Sequence, residues 1–214
     1  MRKKFVKTSN VKAFMAGVEV VKTRGAPEAS WLLAEGTPGL GKTATLVWWS
    51  TQKDSILIRA KKGWTVNWAL RDLMTHLGEA HARSTEVMFN SAVRAISQSE
   101  QPIMVDEIQH AMHGGIIEVL RDISDYTETP IIIGGHNGVG ATLKRFEQIS
   151  SRIAYTAQFN ANTVADVRLI CDELAEVKVS NDQVEQLHRE TGGSMRRLLN
   201  GIARLEQAER RRVA

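Results

Sequence analysis

Short, strongly apolar runs alternate along this chain with longer stretches in which apolar residues recur at helical spacing. Trp31-Leu32-Leu33-Ala34-Glu35, Ser55–Ala60, Pro102-Ile103-Met104-Val105 and Pro130-Ile131-Ile132-Ile133-Gly134 read as buried strands, with a fifth over Ile153–Phe159. Helices are predicted over Val11–Thr23, capped by Asn10 and stopped at Arg24-Gly25-Ala26-Pro27, then over Thr43–Thr51, Thr65–Leu77, Ser84–Ser99 and Gly115–Tyr126. Strands that alternate with helices need crossover connections, so the sheet is expected to be parallel and five-stranded, an α/β fold. From Thr163 the strands stop, and Val164–Leu174, Asp182–Thr191 and Ser194–Gln207 read as three helices. The expected division is an α/β domain over 1–160 and a small helical lid over 161–214.

The loop after the first strand changes this from a fold to a chemistry. Gly36-Thr37-Pro38-Gly39-Leu40-Gly41-Lys42-Thr43 meets the spacing G-x-x-x-x-G-K-[ST], directly after a strand and directly before a helix. Glycines let the backbone N–H groups face phosphate oxygens, and the helix N-terminus adds partial positive charge. Lys42 is expected to reach the β- and γ-phosphates of ATP, and the Thr43 hydroxyl to ligate Mg2+. Downstream, the apolar strand Ile103-Met104-Val105 ends in Asp106-Glu107. Asp106 is expected to hold the magnesium through water, and Glu107 to orient and deprotonate the attacking water. The strand Ile131-Ile132-Ile133 runs into Gly134-Gly135-His136-Asn137, where His136 and Asn137 compete to bond the γ-phosphate or the lytic water. Arg152, before the last strand, and Arg196, in Gly193-Ser194-Met195-Arg196, are candidates to stabilise charge at the breaking bond, Arg152 in a neighbouring subunit.

In this order the motifs resemble the AAA+ ATPases, a branch of the RecA-like P-loop NTPases, and the resemblance covers nearly the whole chain. It implies that Gly36–Thr43 is Walker A, Asp106-Glu107 is Walker B, His136 or Asn137 is sensor 1, Arg152 is the arginine finger and Arg196 is sensor 2. The N-terminal half is similar to the Mu-type target-selector and activator ATPases of DNA transposition. That similarity rests on the helix before the first strand, the loop with Leu46-Val47-Trp48-Trp49 after it, and Ile56–Ala60 followed by Lys61-Lys62-Gly63-Trp64-Thr65. It implies largely sequence-independent binding of duplex DNA, self-assembly into a helical filament or ring, and recruitment or stimulation of a transposase. With its first motif close to the start of the sequence, the chain is expected to differ from longer members in lacking their N-terminal helix-turn-helix domain.

Charge sharpens the DNA expectation. The net charge is +4, and basic residues cluster in 1–30, in Arg59–Arg71 and at Arg210-Arg211-Arg212. Lys61, Lys62, Trp64 and Thr65 are the candidate DNA contacts, with Trp64 the one tryptophan expected to be exposed. Trp31, Trp48 and Trp49 are expected in the core, and Trp68 in packing. His110 and His113 have metal-like spacing but no third ligand, and Cys171 reads as a small core residue. One cysteine, no signal sequence and no apolar run of about 18 residues point to a cytoplasmic protein without membrane contact. Two other functions remain open: a helicase-loader or replication-initiator ATPase, and a regulator of a protein partner that does not bind DNA.

Overall fold

The computed structural model describes residues 1–113 and 115–213, the side chains of 212 and 213 excepted, so the Arg212 side chain of the C-terminal basic run lies outside what is described. Its strands are β1 (Trp31–Gly36), β2 (Ile56–Arg59), β3 (Ile103–Asp106), β4 (Ile131–Gly135) and β5 (Ile153–Phe159). The helices are α1 (Ser9–Lys22), α2 (Lys42–Lys53), α3 (Val66–Leu77), α4 (Thr85–Ser99), α5 (Ile116–Thr127), α6 (Val139–Leu143), α7 (Glu147–Ser150), α8 (Val164–Leu174), α9 (Asn181–Thr191) and α10 (Met195–Val213). A 3-10 turn, Ile108–His110, follows β3.

All strand pairings are parallel, in the order β2-β3-β4-β1-β5. The three inner strands are apolar on both faces because helices cover both sides of the sheet. Alternation sorts their side chains. Leu33, Val105 and Ile133 face a core built with Leu70, Met74, Met88, Ile96, Ile117 and Leu120. Leu32, Met104 and Ile132 face the opposite core, with Phe14, Val18, Leu46 and Trp49. A third cluster joins α8, α9 and α10 around Val167, Ile170, Leu187, Leu198 and Ile202, and takes in Val6 from the N-terminal segment.

Helix starts follow side-chain chemistry. The hydroxyls of Thr65 and Ser84 accept from the N–H groups of Trp68 and Val87, and Thr163 and Ser180 form capping boxes with Asp166 and Gln183. Asn10 is not the cap of α1. The helix begins earlier, at Ser9 after Thr8, and Asn10 is buried with its amide bonded both ways to the Asn160 backbone, at 2.8 and 2.9 Å. This cross-link ties α1 to the end of β5.

Several contacts attach the C-terminal helices to the sheet domain. Asn162 donates to Gly193 O through its backbone N–H and its side-chain amide. The Ser9 N–H and hydroxyl both donate to the Asp166 carboxylate. The N-terminal segment crosses between the two parts: Arg2 N–H donates to Leu174 O at 2.8 Å, while Phe5 stacks on Trp48 of α2 with ring centroids 4.4 Å apart.

Candidate functional site

The loop from Thr37 to Gly41 connects β1 to α2 at the C-terminal edge of the sheet. Gly39 and Gly41 have φ of +88° and +98°, conformations that an L side chain resists and that let the loop curl tightly before the start of α2. Lys42 Nζ donates to Gly36 O at 2.6 Å and Thr37 O at 3.0 Å, so the loop folds around its own ammonium group. Burial lowers the Lys42 pKa, with Glu107 and Asp106 pulling it partly back. Thr37 and Pro38 are exposed, whereas the Leu40 side chain is buried in the core, so Leu40 offers the loop's concave side only its backbone.

Asp106 ends β3 beside this loop and is 3% exposed. Its Oδ2 accepts from the Thr43 hydroxyl at 2.8 Å and from Arg59 at 3.2 Å, and its Oδ1 accepts from Glu107 N–H at 3.0 Å. Glu107 stands at φ +57°, rare for a residue with a Cβ, and opens the 3-10 turn with its carboxylate accepting from Gln109. The sharp turn keeps Glu107 at the sheet edge instead of carrying it away along the chain.

These groups line a cleft of about 420 Å³ with Gly39, Gly41, Lys42, Thr43, His136, Met195, Arg196 and Leu199. His136 is on the cleft wall, and its Nδ1 lies 2.8 Å from the carbonyl of Asn137. Asn137 is not among the lining residues. Arg196 comes from the first turn of α10, which rests on the loop through a 3.1 Å bond from Arg196 N–H to Gly39 O. A second, mainly apolar cavity of about 240 Å³ adjoins the first. Phe5, Val6, Val11, Leu40 and Leu174 line it, and it shares Gly41, Ala44, Met195 and Leu199 with the cleft.

Arg152 is placed elsewhere. Its carbonyl accepts from Trp31 N–H at the start of β1, the end of the sheet away from the loop. Its guanidinium grips Asp125 in a bidentate pair, Nε to Oδ1 at 2.8 Å and Nη2 to Oδ2 at 2.6 Å. Within one chain it does not line the cleft.

The segment after β2 corrects one expectation. Trp64 is not exposed: it is 1% accessible, packed in the core, and its Nε1 donates to Asp72 at 3.0 Å. Gly63, at φ +79°, turns the chain so that the following side chain points inward. Trp68, expected in packing, is the exposed one at 41%, with the Lys61 ammonium 5.1 Å above its ring. Lys61 also pairs with Asp72 at 2.6 Å, Lys62 is exposed, and the Thr65 oxygen is engaged as the cap of α3. Because β2 runs parallel to β3, this loop leaves the same sheet edge that carries Asp106.

The family profile described as an AAA domain matches residues 27–143, more than half of the chain. The chain belongs to the AAA domain family. No curated protein matches it. Among solved structures this AAA protein is similar to the Aeropyrum pernix Orc1 protein in complex with DNA, with a TM-score of 0.65 and 18% identity over 98% of this chain and 62% of that one. It is also similar to Cdc6p from Pyrobaculum aerophilum, with a TM-score of 0.66 and 16% identity over 92% of this chain and 60% of that one. A third likeness is to Drosophila ORC bound to DNA, with a TM-score of 0.56 and 16% identity, covering 88% and 51%. The chain thus spans less than two thirds of each of these structures, and at such identities the likeness is one of fold.

Two features of the AAA domain's site were missed by reading the sequence. In the sequence Arg59 reads only as part of a basic cluster, and its place opposite Asp106 emerges from the pairing of β2 with β3. The apolar cavity was invisible because its walls come from residues between 1 and 11, the loop, α2, α8 and α10. Among the described residues no group of three or more His, Cys, Asp or Glu is arranged to hold a metal, and no helix is long and apolar enough to cross a membrane.

Proposed function

We propose that this AAA domain binds and hydrolyses ATP with Mg2+, and that its nucleotide-bound form assembles on duplex DNA to select targets for, or activate, a transposase. The observation that carries the nucleotide part is the convergence of the glycine loop, Lys42, the Thr43–Asp106 pair, Glu107 and Arg196 on one cleft. The residues fit the group. The loop amides and Lys42 suit phosphates, Thr43 and Asp106 suit a hard cation with oxygen ligands, and the adjoining apolar cavity suits a base. Bound Mg2+ would neutralise charge on the phosphates. Lys42 exchanges its two carbonyl partners for phosphate oxygens. Glu107 takes the proton of the attacking water, His136 orients that water or the γ-phosphate, and Arg196 brings the C-terminal helices, residues 161–214, onto the nucleotide as a lid. Arg152 acts on the nucleotide of a neighbouring subunit in a ring or filament.

The DNA part is supported by Lys61, Lys62 and Trp68 at the sheet edge beside the cleft, where backbone phosphates can be met without reading sequence. Lys62 is the freer of the two lysines. Gel shifts with duplex and single-stranded DNA, with and without ATP, test this reading. Lys62→Ala should weaken duplex binding equally for all sequences and reduce the salt slope by about 1. Unchanged duplex affinity and slope would move the DNA site to another basic cluster.

A second reading, a replication-initiator or helicase-loader ATPase, is favoured by the fold likeness to Orc1 and Cdc6 structures. Retention of a replicative helicase, or preference for single strands, in the same assays would select it over the transposition role.

A further inference from the structure

Arg59 has no part in the chemistry described so far, yet it touches the aspartate at the centre of the site. It is the last residue of β2 and lies directly across the parallel register from Asp106. Its Nη2 donates to Asp106 Oδ2 at 3.2 Å, the oxygen that also accepts from Thr43 at 2.8 Å. A carboxylate oxygen offers two lone pairs, so with Thr43 and Arg59 both bound Oδ2 is filled, and a metal-bound water at that oxygen has to displace one of them. The backbone here is pinned: Ala60 N–H donates to Asp106 O at 2.9 Å. One residue further on, the chain enters Lys61-Lys62.

We propose that Arg59 is a displaceable stand-in for the metal, holding Asp106 while no Mg2+ is bound and swinging to the basic loop when Mg2+ enters with ATP. This rests on the nucleotide and duplex-DNA reading above. The Arg59 side chain is 59% exposed and the Asp106 side chain only 5%, so the arginine leaves without crossing the protein interior. An ion pair with one solvated partner is weak and readily exchanged. The water of a divalent cation at the same oxygen would compete for the lone pair, and the cation's charge would repel the guanidinium. Because the strand ladder fixes the Arg59 backbone, the motion is confined to the side chain, and exposed Lys62 lies only three residues further along the chain. Metal occupancy and the positive charge of the loop are thereby linked, and the linkage is reciprocal: duplex that engages Arg59 favours Mg2+ at Asp106.

The experiment uses the whole chain with a fluorescent ATP analogue, titrated with Mg2+ in the absence of DNA. Arg59→Gln should lower the half-saturating Mg2+ concentration about three- to tenfold, whereas Arg59→Lys, which keeps the charge, should stay near wild type. With duplex DNA, Mg-ATP should steepen the wild-type salt slope by about 1, and this gain should be absent in Arg59→Gln. Equal Mg2+ midpoints in wild type and Arg59→Gln, with matched melting temperatures, would overturn the proposal, as would an equal slope gain in both. If the wild-type chain bound no duplex under any condition, the DNA reading would fail, and the Mg2+ titration alone would decide the role of Arg59.

Discussion

Replacing Asp166 tests how the C-terminal helices are held. Its carboxylate is 6% exposed and accepts four bonds: from Ser9 N–H at 2.8 Å, Ser9 Oγ at 2.7 Å, Thr163 N–H at 3.1 Å and Thr163 Oγ1 at 3.0 Å. One of these, from Thr163 N–H, is the carboxylate's half of the α8 capping box and a second comes from the Thr163 hydroxyl, together worth about 1 kcal/mol, and two bind the start of α1 to a charged acceptor, worth about 1.5–3 kcal/mol together after allowing for non-additivity. Asp166→Ala should therefore cost about 3 kcal/mol, a fall in Tm of about 6–12 °C for a chain of this size. Burial alone would raise the Asp166 pKa, but the bonds from Ser9 and Thr163 outweigh it and hold the carboxyl below its ordinary value. The folded pKa is thus depressed, so the stabilisation is complete above the unfolded value of about 3.9 and is lost as pH falls through the lower folded value. Thermal melts of wild type and Asp166→Asn should differ by a constant amount between about pH 5 and 8 and converge below about pH 4. A loss under about 1 kcal/mol for Asp166→Ala at neutral pH, or a gap undiminished down to about pH 3, would refute this account.

Three further outcomes follow from the cleft and the subunit boundary. Lys42→Ala should weaken ATP about tenfold to a hundredfold in a direct binding assay, as expected for a charge-assisted bond. Because burial lowers the Lys42 pKa, wild-type affinity should begin to fall at a lower pH than an ordinary lysine would allow. Glu107→Gln should bind ATP normally yet slow its hydrolysis by about 10²–10⁴, seen by comparing nucleotide retention with phosphate release. Arg152→Ala should fold and bind ATP but lose about 10³-fold or more of DNA-stimulated hydrolysis. Asp125→Asn, which frees the same guanidinium, should keep that activity, and equal losses in the two variants would mean that the Arg152–Asp125 pair is only structural.

The strands and the phosphate loop were legible because their signals are local. A both-faces-buried strand is apolar at every position, and the G-x-x-x-x-G-K-[ST] spacing states its own backbone needs. Strand β5 and helix α8 carry the boundaries that periodicity assigns them. The short helices α6 and α7 span only five and four residues, too few for a periodic pattern to register. Helix α10 runs beyond Gln207 because an arginine-rich continuation is compatible with a helix that needs no further apolar face. The side-chain environments were harder. Whether Trp64 or Trp68 faces solvent depends on the left-handed turn at Gly63, and Asp125 lies 27 residues from the Arg152 it binds. Such pairings are fixed by tertiary packing and leave no trace in spacing.

The sheet order also governs when the phosphate loop comes into being. β1, which carries the loop, pairs only with β4 and β5, whose first residues are Ile131 and Ile153. β2 and β3, made in between, pair with each other and reach β1 only through β4. During synthesis the loop therefore stays without its strand scaffold until about two thirds of the chain has left the ribosome, and its closure needs contacts of high sequence separation, a slow class of folding event. Capture of nucleotide by a nascent chain would accordingly report that the entire sheet has closed, and a chain stalled before β4 would expose β1 as an unpaired apolar strand for chaperones to hold.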